Sequence, residues 1–149
     1  MKKSIRNVMA LTGAAALFAV AGCAADGSSD QASGGTLAEY DLSGVSVAVG
    51  SKDFDEQLIL GEMMVAAFEA AGAEVENKVN LGGTSIARAG LESGEIDIYM
   101  EYNGTGWTVH LGQEDPSFDP EELTSGVRDL DAENGIVWVD RSPFNNTYG

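Results

Sequence analysis

Two short segments of the 149-residue chain carry side chains suited to holding a ligand. They are Ser51-Lys52-Asp53-Phe54 and Glu101-Tyr102-Asn103-Gly104-Thr105. Lys52 is a cation at what the pattern makes the start of a helix, and the two together suit a carboxylate or a phosphate. Thr105 adds a hydroxyl donor, and its flanking glycines permit close approach of the backbone. Spacing leaves two readings of Lys52, an anion ligand or a solvated turn lysine. Tyr102 reads equally as a ligand-facing ring or as a half-buried aromatic at a strand end.

Catalytic patterns are scarce. His110 is the only histidine, falls in a helical stretch, and has no cysteine or second histidine to help it bind a metal, so the helix surface is its default place. Ser51-Lys52 is not a Ser-x-x-Lys arrangement, and no Gly-x-Ser-x-Gly elbow occurs. No glycine-rich loop ends in Gly-Lys-Ser/Thr. A hydrolase on this scaffold would need a nucleophile–base pair, and no histidine lies near a candidate serine. The expectation is a binding protein with no covalent chemistry, no metal and no cofactor. Asn145-Asn146-Thr147 matches a glycosylation acceptor, and Met63 and Met64 are most simply core.

Both candidate loops sit where an α/β sheet would present them. Val45, Val47 and Val49 alternate as a strand, with Gly50 to Asp53 as the turn after it. A helix follows, with Leu60, Met63, Met64, Ala67, Phe68 and Ala71 as its inward stripe. Asp53 and Glu56 fit a capping box at its start, and Gly72 a left-handed cap at its end. Val75, Asn77, Val79 and Leu81 mark a second strand. Thr84 reads as the N-cap of a short helix that buries Ile86, Ala87, Gly90 and Leu91 and stops at Gly94. A third strand, Ile96 to Met100, leads into Tyr102–Leu111. Asp119-Pro120-Glu121 opens a further helix, and Ile136 to Val139 reads as another strand. Alternating strands and helices of this length predict a mostly parallel α/β sheet, in which ligands gather at the carboxyl ends of strands.

The N-terminus carries an address. Lys2, Lys3 and Arg6 precede an apolar run from Val8 to Gly22, shorter than the ~20 residues a membrane-spanning helix needs. Its length and flanks are those of a signal-peptide core. It ends Val20-Ala21-Gly22-Cys23, which resembles the lipobox of bacterial lipoproteins, where the thiol is acylated and the chain is cut before it. Cys23 is the only cysteine, so an intrachain disulfide is excluded. The expected organisation is a signal peptide over 1–22, a lipid-anchored tether over 23–44 and a globular lobe over 45–142. After cleavage, Lys52, Lys78, Arg88, Arg128 and Arg141 stand against all 24 acidic residues. Such a chain repels nucleic acid, which needs a basic patch.

The loops and turns together resemble the substrate-binding proteins of glycine betaine/carnitine/choline ABC transporters. The resemblance rests on Val49-Gly50-Ser51-Lys52-Asp53-Phe54-Asp55-Glu56-Gln57, Leu81-Gly82-Gly83-Thr84, Gly94-Glu95-Ile96-Asp97-Ile98-Tyr99, Glu101-Tyr102-Asn103-Gly104-Thr105-Gly106 and Pro143-Phe144-Asn145-Asn146-Thr147-Tyr148. It implies a periplasmic-binding-protein-like (type II) α/β lobe with a mostly parallel sheet. Residues 143–149 would begin the crossover to a second lobe that is largely missing, as in a fragment or one part of a split receptor. It implies a quaternary ammonium ligand, and an ABC permease and ATPase as partners, with the membrane reached through the lipid on Cys23. Carried over by motif, Tyr102 and Tyr148 would be walls of an aromatic cage. Lys52 and Thr105 would bind a carboxylate, and the backbone carbonyl of Asn146 would face the cation. A non-transport surface or sensory lipoprotein would share the tether and the fold.

Overall fold

The structure is a computed structural model that describes residue 37, residues 39–144 and residue 146, all within one compact unit spanning 32–149. Cys23, the leader before it, most of the tether and Tyr148 lie outside the described residues.

Valines at alternate positions make β1 (Ser46–Lys52), whose inward face buries Val47 and Val49. β2 (Glu74–Gly82) runs parallel to it, with Val47 opposite Val75 and Val49 opposite Asn77. The register shifts between Gly50 and Lys52. On the other side of β1 the expected third strand is reduced to a single parallel bridge between Val49 and Ile98. Gly50 N–H donates to Ile98 O at 2.9 Å and Asp97 N–H to Ala48 O at 2.8 Å. β1 is thus flanked on both sides, and its carboxyl end is held where Lys52 leaves the sheet.

α1 (Asp55–Ala70) covers one face of the sheet. Its buried line is Gln57, Gly61 and Val65, with Met64 and Phe68 packed on the valine core. Met63, expected inside, is 62% exposed, as is its neighbour Ile59 at 61%. The helix is apolar nearly all round, so spacing alone did not choose its inner face; Gly61 did. A Cβ there would lie 2.8 Å from Val79 Cγ2, so only glycine lets the helix approach this closely. The expected capping box is absent: Phe54 is the N-cap and no side chain caps the helix. Gly72 does adopt the left-handed conformation expected of it, with φ +92°. α2 (Thr84–Ser93) starts one residue earlier than expected, with Gly83 as N-cap and Thr84 already helical. It buries Ala87 and Gly90 but leaves Ile86 exposed.

Past Tyr102 the chain makes one α turn, α3 (Asn103–Thr105), then a π turn over Gly106–His110. α4 (Pro120–Asp131) begins as expected, with the Asp119 carboxylate accepting from the Glu121 and Glu122 N–H groups. The expected strand at 136–139 does not form. Arg128 of α4 donates to the carbonyls of Trp138 and Val139 at 2.9 Å each, taking acceptors a neighbouring strand would have used. No described helix is long and apolar enough to cross a membrane.

A buried ion pair ties α2 to α4. Arg88 Nη1 and Nη2 donate to Asp131 Oδ2 and Oδ1 at 2.6 and 2.7 Å, a bidentate fork. Trp138 Nε1 and Asn134 Nδ2 donate to the same carboxylate. Burial alone would raise the Asp131 pKa, but these donors outweigh it and hold the carboxyl at about 2, against 3.8 for a free one. A depressed carboxyl stabilises the fold at pH above its unfolded value and loses that contribution as pH falls toward the folded one. The shift from 3.8 to about 2 amounts to about 2 kcal/mol. Urea unfolding of wild type and Asp131→Asn should therefore show a stability gap that is constant above about pH 4 and narrows by about 2 kcal/mol toward pH 2.

Candidate functional site

Parallel packing brings the two sequence segments together, because β1 and the Ile98 bridge end side by side. Lys52 closes β1 and is 1% exposed, so it is not a solvated turn lysine. Its ammonium lies 2.5 Å from Glu101 Oε1, and the two side chains are only 2% and 6% exposed. Glu101 accepts three further donors. Tyr102 N–H reaches Oε1 at 2.7 Å, and the Tyr99 hydroxyl and His110 Nε2 reach Oε2 at 3.0 and 2.8 Å. An ionised carboxylate only accepts, which assigns a proton to His110 Nε2. Burial, then the Glu101 charge, push the Tyr99 phenol well above its ordinary range. His110, expected on a helix surface, is instead an inward member of this cluster, with its side chain 4% exposed.

Tyr102 stands over the same cation. Lys52 Nζ is 5.1 Å from its ring centroid, and Phe54 stacks on the ring at 6.1 Å with 19° between planes. Cation–π contact of this kind contributes about 0.5–2 kcal/mol, more as water is excluded. Burial raises the Tyr102 phenol against the opposing influence of Gln57 and Asn146. Those two and Glu56 face the hydroxyl, yet none reaches hydrogen-bond geometry: among the described residues, Tyr102 Oη and both carboxamide atoms of Gln57 are buried without a partner. Asn146 turns its amide to Glu56 Oε2 at 2.5 Å. Thr105 is half-buried on the α3 turn, which Asn103 fastens to α4 by donating to Thr124 Oγ1 at 2.7 Å. An open groove of about 470 Å³, lined by Glu56, Ile59, Leu60, Phe144 and Asn146, runs alongside. Lys52 and Tyr102 do not line it; Glu56 and Asn146, which do, also face the Tyr102 hydroxyl.

The described residues therefore bring together Lys52 and Tyr102, place Thr105 one turn on, and set Asn146 beside the Tyr102 hydroxyl. Tyr148 and Cys23 lie outside the described residues. Spacing did not assign roles to Phe54, Gln57, Tyr99, Glu101 or His110. Glu101 had a readable signal: it ends the segment beside β1, where a strand-end lysine needs a partner. Among the described residues no cluster of His, Cys, Asp or Glu could hold a metal ion. The arrangement is suited to holding one small ligand by an aromatic face and fixed donors, and it contains no nucleophile–base pair.

Comparison with known proteins identifies the family. Residues 45–149 match the family model described as the substrate binding domain of ABC-type glycine betaine transport systems. The glycine betaine-binding protein YehZ of Escherichia coli is 36% identical over 104 residues, covering 68% of this chain and 34% of that protein. A glycine-betaine-binding protein of Pseudomonas aeruginosa is 36% identical over 103 residues, covering 69% and 32%. The ergothioneine transport permease/ergothioneine binding protein EgtU of Helicobacter pylori is 31% identical, covering 68% and 18%. The solved structure of apo YehZ, a periplasmic-binding-protein-like fold, superposes with a TM-score of 0.64, covering 68% of this chain and 37% of that one. The chain thus spans about a third of the length of the two betaine-binding relatives it matches.

The buried pair makes a measurable prediction. Lys52→Met or Glu101→Gln each strands a buried charge and should cost about 3–5 kcal/mol by urea unfolding. The double variant should cost clearly less than the sum; strict additivity would show that the two are not coupled.

Proposed function

Because this chain belongs to the family of substrate binding domains of ABC-type glycine betaine transport systems, we propose that it carries the first lobe of a receptor for quaternary ammonium osmoprotectants. The ligand is of the glycine betaine, carnitine or choline type, and the receptor passes it to an ABC permease and its ATPase. The family is one of binding proteins rather than enzymes, and its members act outside the cytoplasm. The reading adds a lipid on Cys23 as the anchor that keeps the lobe beside its permease.

The observation that carries it is the meeting of a buried ammonium and an aromatic ring at the end of β1. A methylated ammonium has no N–H to donate, so aromatic faces recognise it better than any acceptor does. Its carboxylate needs donors, and Lys52 with Thr105 provides them next to the amino end of α1, whose free N–H groups add to the attraction. Tyr102 and Tyr148 serve as cage walls in this reading, and the Asn146 carbonyl faces the cation. Lys52 reaches a ligand carboxylate with the ammonium protons that Glu101 does not occupy.

Titration calorimetry with glycine betaine, carnitine, choline and ergothioneine tests the class. Tyr102→Ala should weaken binding of the preferred ligand about tenfold or more, since it removes a desolvated cation–π wall. Tyr102→Phe should stay within about threefold, because the hydroxyl it removes has no partner among the described residues. Unchanged affinity in Tyr102→Ala would sink the cage assignment.

A further inference from the structure

We propose that His110 is a positioning residue for the ligand's carboxylate, acting through Glu101 to hold the Lys52 ammonium in place; this rests on the receptor reading above. Two independent observations carry it. The first is the partition of donors on Glu101. Lys52 and the Tyr102 N–H take Oε1, while His110 and the Tyr99 hydroxyl take Oε2. A carboxylate has about four lone-pair sites, so these donors leave it no freedom to rotate. His110 closes the side of the carboxylate opposite Lys52, and without it Oε2 is held by Tyr99 alone.

The second observation is the backbone that delivers His110. The chain leaves α3 and widens into a π turn, with Leu111 N–H donating to Gly106 O at 3.0 Å. A π turn contains one more residue than an α turn and occurs mostly where a function requires it. Continuing α3 as an α-helix would rotate position 110 away from the direction it now takes. Gly106, the first residue of the turn, lets the Trp138 ring pack directly against it, since a Cβ there would fall 2.6 Å from that ring. The helix thus departs from regular geometry at the turn that brings one imidazole to one carboxylate. Every group facing that carboxylate is engaged: Lys52 from β1, Tyr99 and Tyr102 from its own segment, and His110 from the π turn.

Two variants that differ by one methylene separate positioning from mere packing. The amide nitrogen of His110→Gln can reach the Nε2 position and donate to Glu101, whereas His110→Asn falls short of it. Binding of glycine betaine and of choline, which lacks the carboxylate, is measured for wild type and both variants. A second readout needs no ligand: the rate of Lys52 acetylation by an amine-reactive ester, with the more exposed Lys78 as internal reference.

His110→Asn should lose about tenfold in betaine affinity while its choline affinity changes by no more than about twofold. It should also speed Lys52 acetylation relative to Lys78. His110→Gln should restore most of the betaine affinity and the protection of Lys52. Equal loss for both ligands, or failure of His110→Gln to rescue, makes His110 a packing residue and overturns the proposal. Unchanged Lys52 protection in His110→Asn overturns it whatever the ligands do. If the wild type binds neither ligand while the protection pattern holds, the receptor reading fails and the coupling of His110 to Lys52 stands.

Discussion

The Glu101 carboxylate is the constraint on which the rest of the site depends. It is 6% exposed beside a lysine that is 2% exposed, and neither charge is tolerable there alone. Removing an ion from water costs several kcal/mol, repaid only when every lone pair and proton finds a partner. Here the repayment comes from four donors drawn from β1, the Tyr99–Tyr102 segment and the π turn. The position of each of those elements is therefore tied to one functional group. The parallel pairing of Ala48 and Gly50 with the Asp97–Ile98 segment brings Lys52 and Glu101 to the same level. The α3 turn, anchored on α4 through Asn103 and Thr124, brings His110 back to them.

A second buried carboxylate works the same way at the opposite end of this connection. Asp131 gathers Arg88 from α2, Trp138 from the segment after α4, and Asn134 between them. Trp138 in turn lies against Gly106, the first residue of the π turn. The two hubs meet through that contact: Trp138 donates to Asp131 and packs against the turn that carries His110. Both hubs are polar clusters in a small lobe whose buried apolar residues, among those described, are Val47, Val49, Val65, Ala71, Ala87, Ile96 and Val127. Directional polar contacts therefore specify much of the loop geometry that the small core cannot.

What could be read from residues alone follows the same division. Strong local signals were reliable: the valine alternation of β1, the aspartate–proline start of α4, and the left-handed glycine after α1. Signals failed where a distant side chain decided the outcome. Residues 136–139 have strand composition, yet Arg128 takes their carbonyls. The apolar stripe of α1 is nearly continuous, so its inner face was set by the close approach at Gly61 rather than by spacing. Lys52 was ambiguous because its partner lies 49 residues on, at the end of a parallel neighbour that no local pattern announces. His110 was assigned to a surface by default, since no cysteine or second histidine accompanies it, and a π turn leaves no mark in composition. The family motifs supplied Lys52, Tyr102, Thr105, Asn146 and Tyr148 as candidates. They did not reveal that the lysine is already committed to a carboxylate.

That commitment matters in a lobe with so many acids. The chain has 24 acidic against 8 basic residues, and its far field draws cations and repels carboxylates. At physiological salt that field fades over about 8 Å, so it affects approach and not the final contact. At contact the relevant charges are local: a Lys52–Glu101 pair that is neutral as a unit, and an aromatic face beside it. A free lysine in this field would collect whatever anion or acid lay nearest, and a flexible stem would let it do so in many poses. Holding its ammonium against Glu101 and over Tyr102 removes that freedom before a ligand arrives. What the lysine gives up in net charge it gains in fixed direction.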